Sequence, residues 1–174
     1  NPVLSIRKEG NTPAWGAVYE QYFQEIDKVK GQKGVLSVEK KLFVETNNGT
    51  NRQIRPVTPE QPLRIGDKVI VRLTIRTDRE MNYVFLKDLR AGCFEPADQL
   101  SGPESRDGIW YYRSPKDVSE NFFINRLPEG TFVLEYPVYV SRSGEYAGGI
   151  STIQCMYAPE FVSHTAGESL RIMP

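Results

Sequence analysis

Apolar and polar residues alternate with a period of two along much of this chain. In "KVIVRLTIR" (residues 68–76), Val69, Val71, Leu73 and Ile75 fall on one face, and Ile70, Arg72, Thr74 and Arg76 on the other. A strand with one face on a core and the other in solvent has this pattern, and Gly66-Asp67 before it is a turn signal. "VLSVEKKLFVE" (35–45) sets Leu36, Val38, Leu42 and Val44 against Ser37, Glu39, Lys41 and Phe43, with Asn48-Gly49 after it as a hairpin turn. "MNYVFLKDL" (81–89) is another strand. "NFFINRL" (121–127) and "TFVLEYPVYV" (131–140) flank Pro128-Glu129-Gly130, which predicts a tight hairpin, and Pro137 puts the second strand at an edge or a bulge. "GGISTIQC" (148–155) is the last clear strand. Pro159 is expected to stop it, yet Met156, Tyr157, Ala158 and Phe161 stay apolar where a loop usually turns polar.

Near the N-terminus, "WGAVYEQYFQEIDKV" (15–29) allows a helix by residue type. The alternation of Ala17, Tyr19, Gln21 and Phe23 with Val18, Glu20, Tyr22 and Gln24 predicts an exposed, aromatic-rich strand instead. Residues 44–62, rich in Asn, Thr and Pro, read as a linker or long loop, and residues 114–123 as a loop. About seven to nine strands at this spacing predict an all-β fold, an antiparallel sandwich of the immunoglobulin or fibronectin-III kind.

Composition narrows the functional classes. A chain of 174 residues fits one domain, or one domain with part of a second. Lys plus Arg and Asp plus Glu are 22 each, so net charge is zero and nucleic acid is not an expected partner. No apolar run reaches the roughly 18 residues of a membrane-spanning helix. The start, Asn1-Pro2-Val3, has neither a basic region nor an apolar block, and a chain opening without Met is expected to be a fragment of something larger.

Candidate chemistry is sparse. Cys93 and Cys155 are the two cysteines and His164 the single histidine, a poor set for a metal site. The cysteines are either two buried thiols or one disulfide. Cys155 with His164 is a conceivable nucleophile and base, but a packed or bridged Cys155 at a strand end is the expected reading. Asp88 with Glu95, and Glu104 with Asp107, read as solvated loop charges. "GIWYYRS" (108–114) presents Trp110, Tyr111 and Tyr112, which would stack a sugar or form a core strand with one wet face. Neither "AGGIS" nor "SGPES" has the lysine and helix of a phosphate-binding loop. No enzyme activity and no cofactor are expected.

Over residues 63–174 the chain resembles the last macroglobulin-like domain of bacterial alpha-2-macroglobulins. The resemblance rests on "LRIGDKVIVRLTIRTDREMNYVFLKDLRAGCFEP", on "NRLPEGTFVLEYPVYVSRSGEYAGG" and on the terminal "QCMYAPEF". Over residues 1–62 it is weaker, where "PAWGAVYEQYF" is similar to the stretch preceding this domain in Bacteroidetes-type members. The resemblance implies strands over 1–34 as the tail of a preceding small β-domain, and a macroglobulin-like sandwich over 35–174. It implies a periplasmic or cell-surface protease trap in which bait cleavage exposes a thioester built from Cys-Leu-Glu-Gln. That stretch is absent here: Cys93 is followed by Phe94-Glu95-Pro96 and Cys155 by Met156-Tyr157. The implied role is a non-catalytic C-terminal domain that packs on the thioester domain of its parent chain, with target proteases met through the parent. Met156 and Tyr157 would cover the thioester, with Pro159 and Phe161 beside them. The exported location implies a Cys93–Cys155 disulfide. Two other classes stay open: a stand-alone immunoglobulin-like adhesion or scaffold module, and a carbohydrate-binding module using Trp110, Tyr111 and Tyr112. Deep burial of Met156 and Tyr157 would make them a cap on the sandwich; exposure is the sign expected of a lid.

Overall fold

The structure, a computed structural model, describes residues 4–48 and 51–174. Fourteen strands follow in chain order: β1 (Leu36–Asn48), β2 (Asn51–Pro56), β3 (Leu63–Arg64), β4 (Lys68–Thr77), β5 (Met81–Leu89), β6 (Phe94–Pro96), β7 (Gly102–Arg106), β8 (Ile109–Pro115), β9 (Ser119–Leu127), β10 (Gly130–Val140), β11 (Gly144–Ala147), β12 (Ser151–Cys155), β13 (Ala158–His164) and β14 (Ser169–Met173). One sheet has the order β2-β1-β4-β10-β6, a second has β13-β12-β5-β9-β8-β7, and a small third has β11-β14-β3. The fold is the expected all-β, immunoglobulin-like sandwich of antiparallel sheets; among the described residues the one parallel pair is β14 with β3.

The period-two pattern explains the packing. On β4, Val69, Val71, Leu73 and Ile75 are almost fully buried and join Leu36, Val38, Leu42 and Val44 of β1 in the core. Each such side chain contributes about 1.5–3 kcal/mol on leaving water. From the other sheet, Val84, Leu86, Phe122, Ile124 and Ile153 close the same core. Gly149, at φ +74°, lets the chain pass close to β5; a Cβ there would lie 2.2 Å from the Leu89 carbonyl oxygen.

Several expectations are corrected. Pro128-Glu129-Gly130 does not turn a hairpin, because β9 and β10 lie in different sheets and the segment crosses between them. The linker expected over 44–62 is largely strand: β1 runs on to Asn48 and pairs antiparallel with β2. The Asn48-Gly49 turn includes Gly49, outside the described residues. "SGPES" forms β7. Pro137 is tolerated because β6 pairs only with Val138–Val140, so β10 is an edge at Pro137.

The strand expected over 15–24 does not form. No strand partner meets these residues, and Trp15, Tyr19 and Phe23 stand in solvent, at 96%, 88% and 108% exposure. The segment attaches further on, through a single 3-10 turn (Ile26–Lys28) and a bridge between Gln32 and His164. The amide of Gly167 donates to Val29, and a Cβ on Gly167 would collide with the Ile26 carbonyl, which explains the glycine.

Candidate functional site

The segment "CMYAP" is a hairpin, not a loop. Cys155 pairs with Ala158, so Met156 and Tyr157 form the two-residue tip between β12 and β13. Gln154 pairs with Val162, which leaves Pro159, Glu160 and Phe161 as a bulge in β13. A bulge bends a strand and re-aims its side chains. Here Phe161 turns back and packs against the core, with the Arg79 guanidinium 5.6 Å from its ring centre. Pro159 does not end the strand; it lies in β13, the outermost strand of its sheet, where a missing N–H leaves no ladder bond unmade. Phe161 therefore anchors the hairpin to the core. Met156 and Tyr157 point away from the core, at 56% and 81% exposure, and neither caps the sandwich.

Sequence reasoning missed the neighbour of this tip, Tyr83 on β5. Its ring meets Tyr157 edge-on, with centroids 5.2 Å apart and an interplanar angle of 83°. Its carbonyl accepts the Met156 amide at 2.9 Å, and the carbonyl of Asn82 accepts the Cys155 thiol at 3.3 Å. Tyr83 is also left-handed, with φ +56°, an outlier for a bulky side chain. A signal existed in the sequence. The inward residues of β5 are Met81, Val84, Leu86 and Asp88, a step of three before steps of two, and Tyr83 sits inside the long step.

At the opposite extreme, charges lie buried between the sheets. Asp88, read from sequence as a solvated loop charge, is wholly buried on β5. It accepts from Lys40 Nζ at 2.8 Å, from the Tyr136 hydroxyl at 2.5 Å and from Ser151 Oγ at 2.8 Å. Lys40 and Tyr136 come from the facing sheet, so this cluster ties the two layers together. Lys40 also donates to the carbonyls of Leu89 and Gly148. Burial, then the Asp88 charge, raises the Tyr136 phenol well above its ordinary range. Glu120, fully buried on β9, accepts from Arg113 Nε at 2.7 Å and faces Arg90 at 3.5 Å. Burial pushes its pKa up against the opposing pull of Arg113. Arg90 donates in turn to the carbonyls of Lys116 and Ser119. These charges hold one another, as buried charges must.

The thiols are not brought together. Cys93 and Cys155 are both free and buried, correcting the expected disulfide. Cys155 lies opposite Val84, whereas Cys93 follows the far end of β5 at Leu89. At about 3.3 Å per residue, some 16 Å of strand separates those ends, and bridging needs Cα atoms within about 7 Å. Burial pushes the Cys93 thiol up to about 11, the reverse of a reactive cysteine. The Cys155 and His164 pair also fails. His164 sits opposite Thr152 and Cys155 opposite Ala158, about 10 Å apart along the strand. Among the described residues no group of three or more His, Cys, Asp or Glu could hold a metal ion.

The aromatic run on β8 divides by face. Tyr111 turns inward and donates to Glu104 at 3.0 Å, and burial together with that carboxylate pushes its phenol up to about 12. Trp110 and Tyr112 stay exposed on the outer face. There Tyr112 pairs across strands with Phe123, and Phe123 stacks on Phe85 at 4.9 Å.

The family described as the bacterial alpha-2-macroglobulin MG10 domain matches residues 36–160. Salmonella alpha-2-macroglobulin reacted with methylamine superposes with TM-score 0.65 at 21% identity, over 83% of this chain and 10% of that one. The Escherichia coli protein activated by porcine elastase gives 0.65 at 18% identity, over 83% and 14%. Its native form from domain MG7 to the C-terminus gives 0.63 at 16% identity, over 83% and 24%. These likenesses establish the fold. Circularly permutated Ras protein 2 of Dictyostelium discoideum is 28% identical over 109 residues, which is 63% of this chain and 3% of that protein. The chain thus spans only a small part of each of these relatives.

Proposed function

The chain belongs to the bacterial alpha-2-macroglobulin MG10 domain family, and we propose that it works as the shielding domain of a protease-trapping parent protein. In this reading it is a non-catalytic, C-terminal domain of an exported protein, periplasmic or on the cell surface. It packs on the thioester domain of the same parent chain and meets target proteases only through that parent. In the same reading the stretch from Leu4 to Glu25, which forms no strand, belongs to the join with a preceding domain.

One observation carries the reading: Met156 and Tyr157 stand in solvent at the tip of a braced hairpin. Exposed apolar groups on a rigid support mark a contact surface. A thioester is destroyed by water and amines, so a native trap must keep both away from the bond. Methionine fills an irregular gap, and tyrosine lays down a broad face with one polar tip. A relative described as reacted with methylamine, and another as activated by elastase, fit such a chemistry. The test places Tyr157→Ala in the full-length parent and follows thiol release in methylamine. Release is expected to quicken about tenfold, equivalent to about 1.4 kcal/mol of lost protection. An unchanged rate, or a parent without a thioester, sinks the proposal.

A second reading, a carbohydrate-binding face, draws on the exposure of Trp110 and Tyr112. It loses Tyr111 to the core, and Phe85 and Phe123 spend their ring faces on each other. Glycan-array binding that disappears with Trp110→Ala would establish it in place of the shield.

A further inference from the structure

We propose that Tyr83 is a positioning residue: the chain holds it in a left-handed conformation so that its ring and carbonyl fix Met156 and Tyr157 in a single presentation. The inference rests on the reading of the hairpin tip as a contact surface, and names what organises that surface. Three observations bear on it. Tyr83 has φ +56°, a conformation that a bulky residue keeps only when its surroundings impose it. The strand around it is otherwise regular, since Asn82 pairs with Arg126 and Val84 with Ile124 in the same register. The ring itself is 54% exposed, so core burial does not account for its placement. What the conformation does achieve is at the tip. The Tyr83 carbonyl accepts the Met156 amide at 2.9 Å and its ring meets the edge or face of Tyr157 at 5.2 Å.

A brace of this kind separates two properties that normally move together. Glycine adopts the left-handed region without a Cβ penalty and asparagine tolerates it better than most residues. Tyr83→Gly and Tyr83→Asn therefore remove the strain and the ring at once. The fold is expected to melt at the same or a higher temperature, while the tip loosens. Tyr83→Phe keeps the ring and should retain the ordered tip.

The experiment uses the 174-residue chain and measures thermal unfolding beside 15N relaxation of the Met156 and Tyr157 amides. In the parent-type chain and in Tyr83→Phe, the order parameter is expected near the rigid value of about 0.85. In Tyr83→Gly and Tyr83→Asn it is expected below about 0.6, with the ring-current shift of the Tyr157 protons lost. Unchanged order in Tyr83→Gly overturns the proposal. So does a lower melting temperature accompanying the lost order, because Tyr83 would then be an ordinary structural residue. A second arm puts Tyr83→Gly and Tyr157→Ala into the full-length parent and follows methylamine consumption. Tyr83→Gly is expected to speed it about two- to tenfold, the equilibrium worth of an edge-to-face ring pair. If Tyr157→Ala changes nothing, the shield reading fails while the relaxation data still decide the role of Tyr83. If Tyr157→Ala quickens the reaction and Tyr83→Gly does not, the brace fails and the shield stands.

Discussion

The seam between the sheets and the tip of the β12–β13 hairpin invert the usual distribution of residues. The seam buries Asp88, Glu120, Arg90, Arg113 and the Lys40 side chain; the tip exposes Met156, Tyr157 and Tyr83. Yet each buried charge has its counter-charge within this chain, on a neighbouring strand or on the facing sheet. The tip has an internal brace but, among the described residues, no internal cover. The contrast teaches where to look for partners. A buried charge without a partner would be ruinous, so these groups had to be satisfied by the fold itself. An exposed apolar residue costs little in the folded domain, so its complement is free to lie in another domain.

This contrast breaks first at Asp88. Asp88→Ala leaves the Lys40 ammonium among carbonyls with no counter-charge, and strips Tyr136 and Ser151 of their acceptor. A loss of about 3–5 kcal/mol is expected by urea denaturation, and pairing it with Lys40→Met should recover much of that. A loss below about 1 kcal/mol would mean that the seam is solvated, erasing the contrast.

Alkaline pH probes the same interior more gently. Burial raises Cys93 to about 11, Tyr111 to about 12 and Tyr136 well above its ordinary range. All three hold their protons longer when folded than when unfolded. Their contribution is thus complete below the unfolded values of about 9 for Cys93 and 10 for the two phenols, and is lost as pH rises through the folded ones. Each group removes about 1.4 kcal/mol per pH unit inside its own window. Tyr111→Phe should flatten the fall in stability between about pH 10 and 12 by that slope. An identical slope would show that Tyr111 ionises freely in the folded domain.

The smallest expected effect sharpens the comparison most. Met156→Ala should change the stability of the isolated domain by no more than about 0.5 kcal/mol, and Tyr157→Ala by no more than its ring pair with Tyr83 is worth, about 0.5–1.5 kcal/mol. A loss of about 2 kcal/mol or more at either position would make the tip a structural cap after all.

How far the sequence reaches depends on how local each feature is. Alternation marked the inward faces of β1 and β4, because the two sides of a strand are set by backbone geometry alone. On β5, Asp88 falls in step with Val84 and Leu86 on the inward face. Its charge nevertheless suggested solvent, since only the facing sheet supplies the Lys40 and Tyr136 that make burial affordable in energy. "MYAP" looked like a loop because the proline was read as a stop. An edge strand accepts proline, and strand order is not written locally. Tyr83 was passed over as one more aromatic in a strand, although the irregular step from Met81 to Val84 was visible.

By itself, then, the sequence determined the fold class, the faces of the long strands and a family resemblance carried by short motifs. Each of these depends on neighbours a few residues apart. Tertiary structure alone decided that Pro128-Glu129-Gly130 crosses between sheets, that Cys93 and Cys155 stay apart at the two ends of β5, and that Tyr83 meets Tyr157. Those outcomes depend on which strands pair, and pairing is settled by how two whole sheets bury their apolar faces against each other.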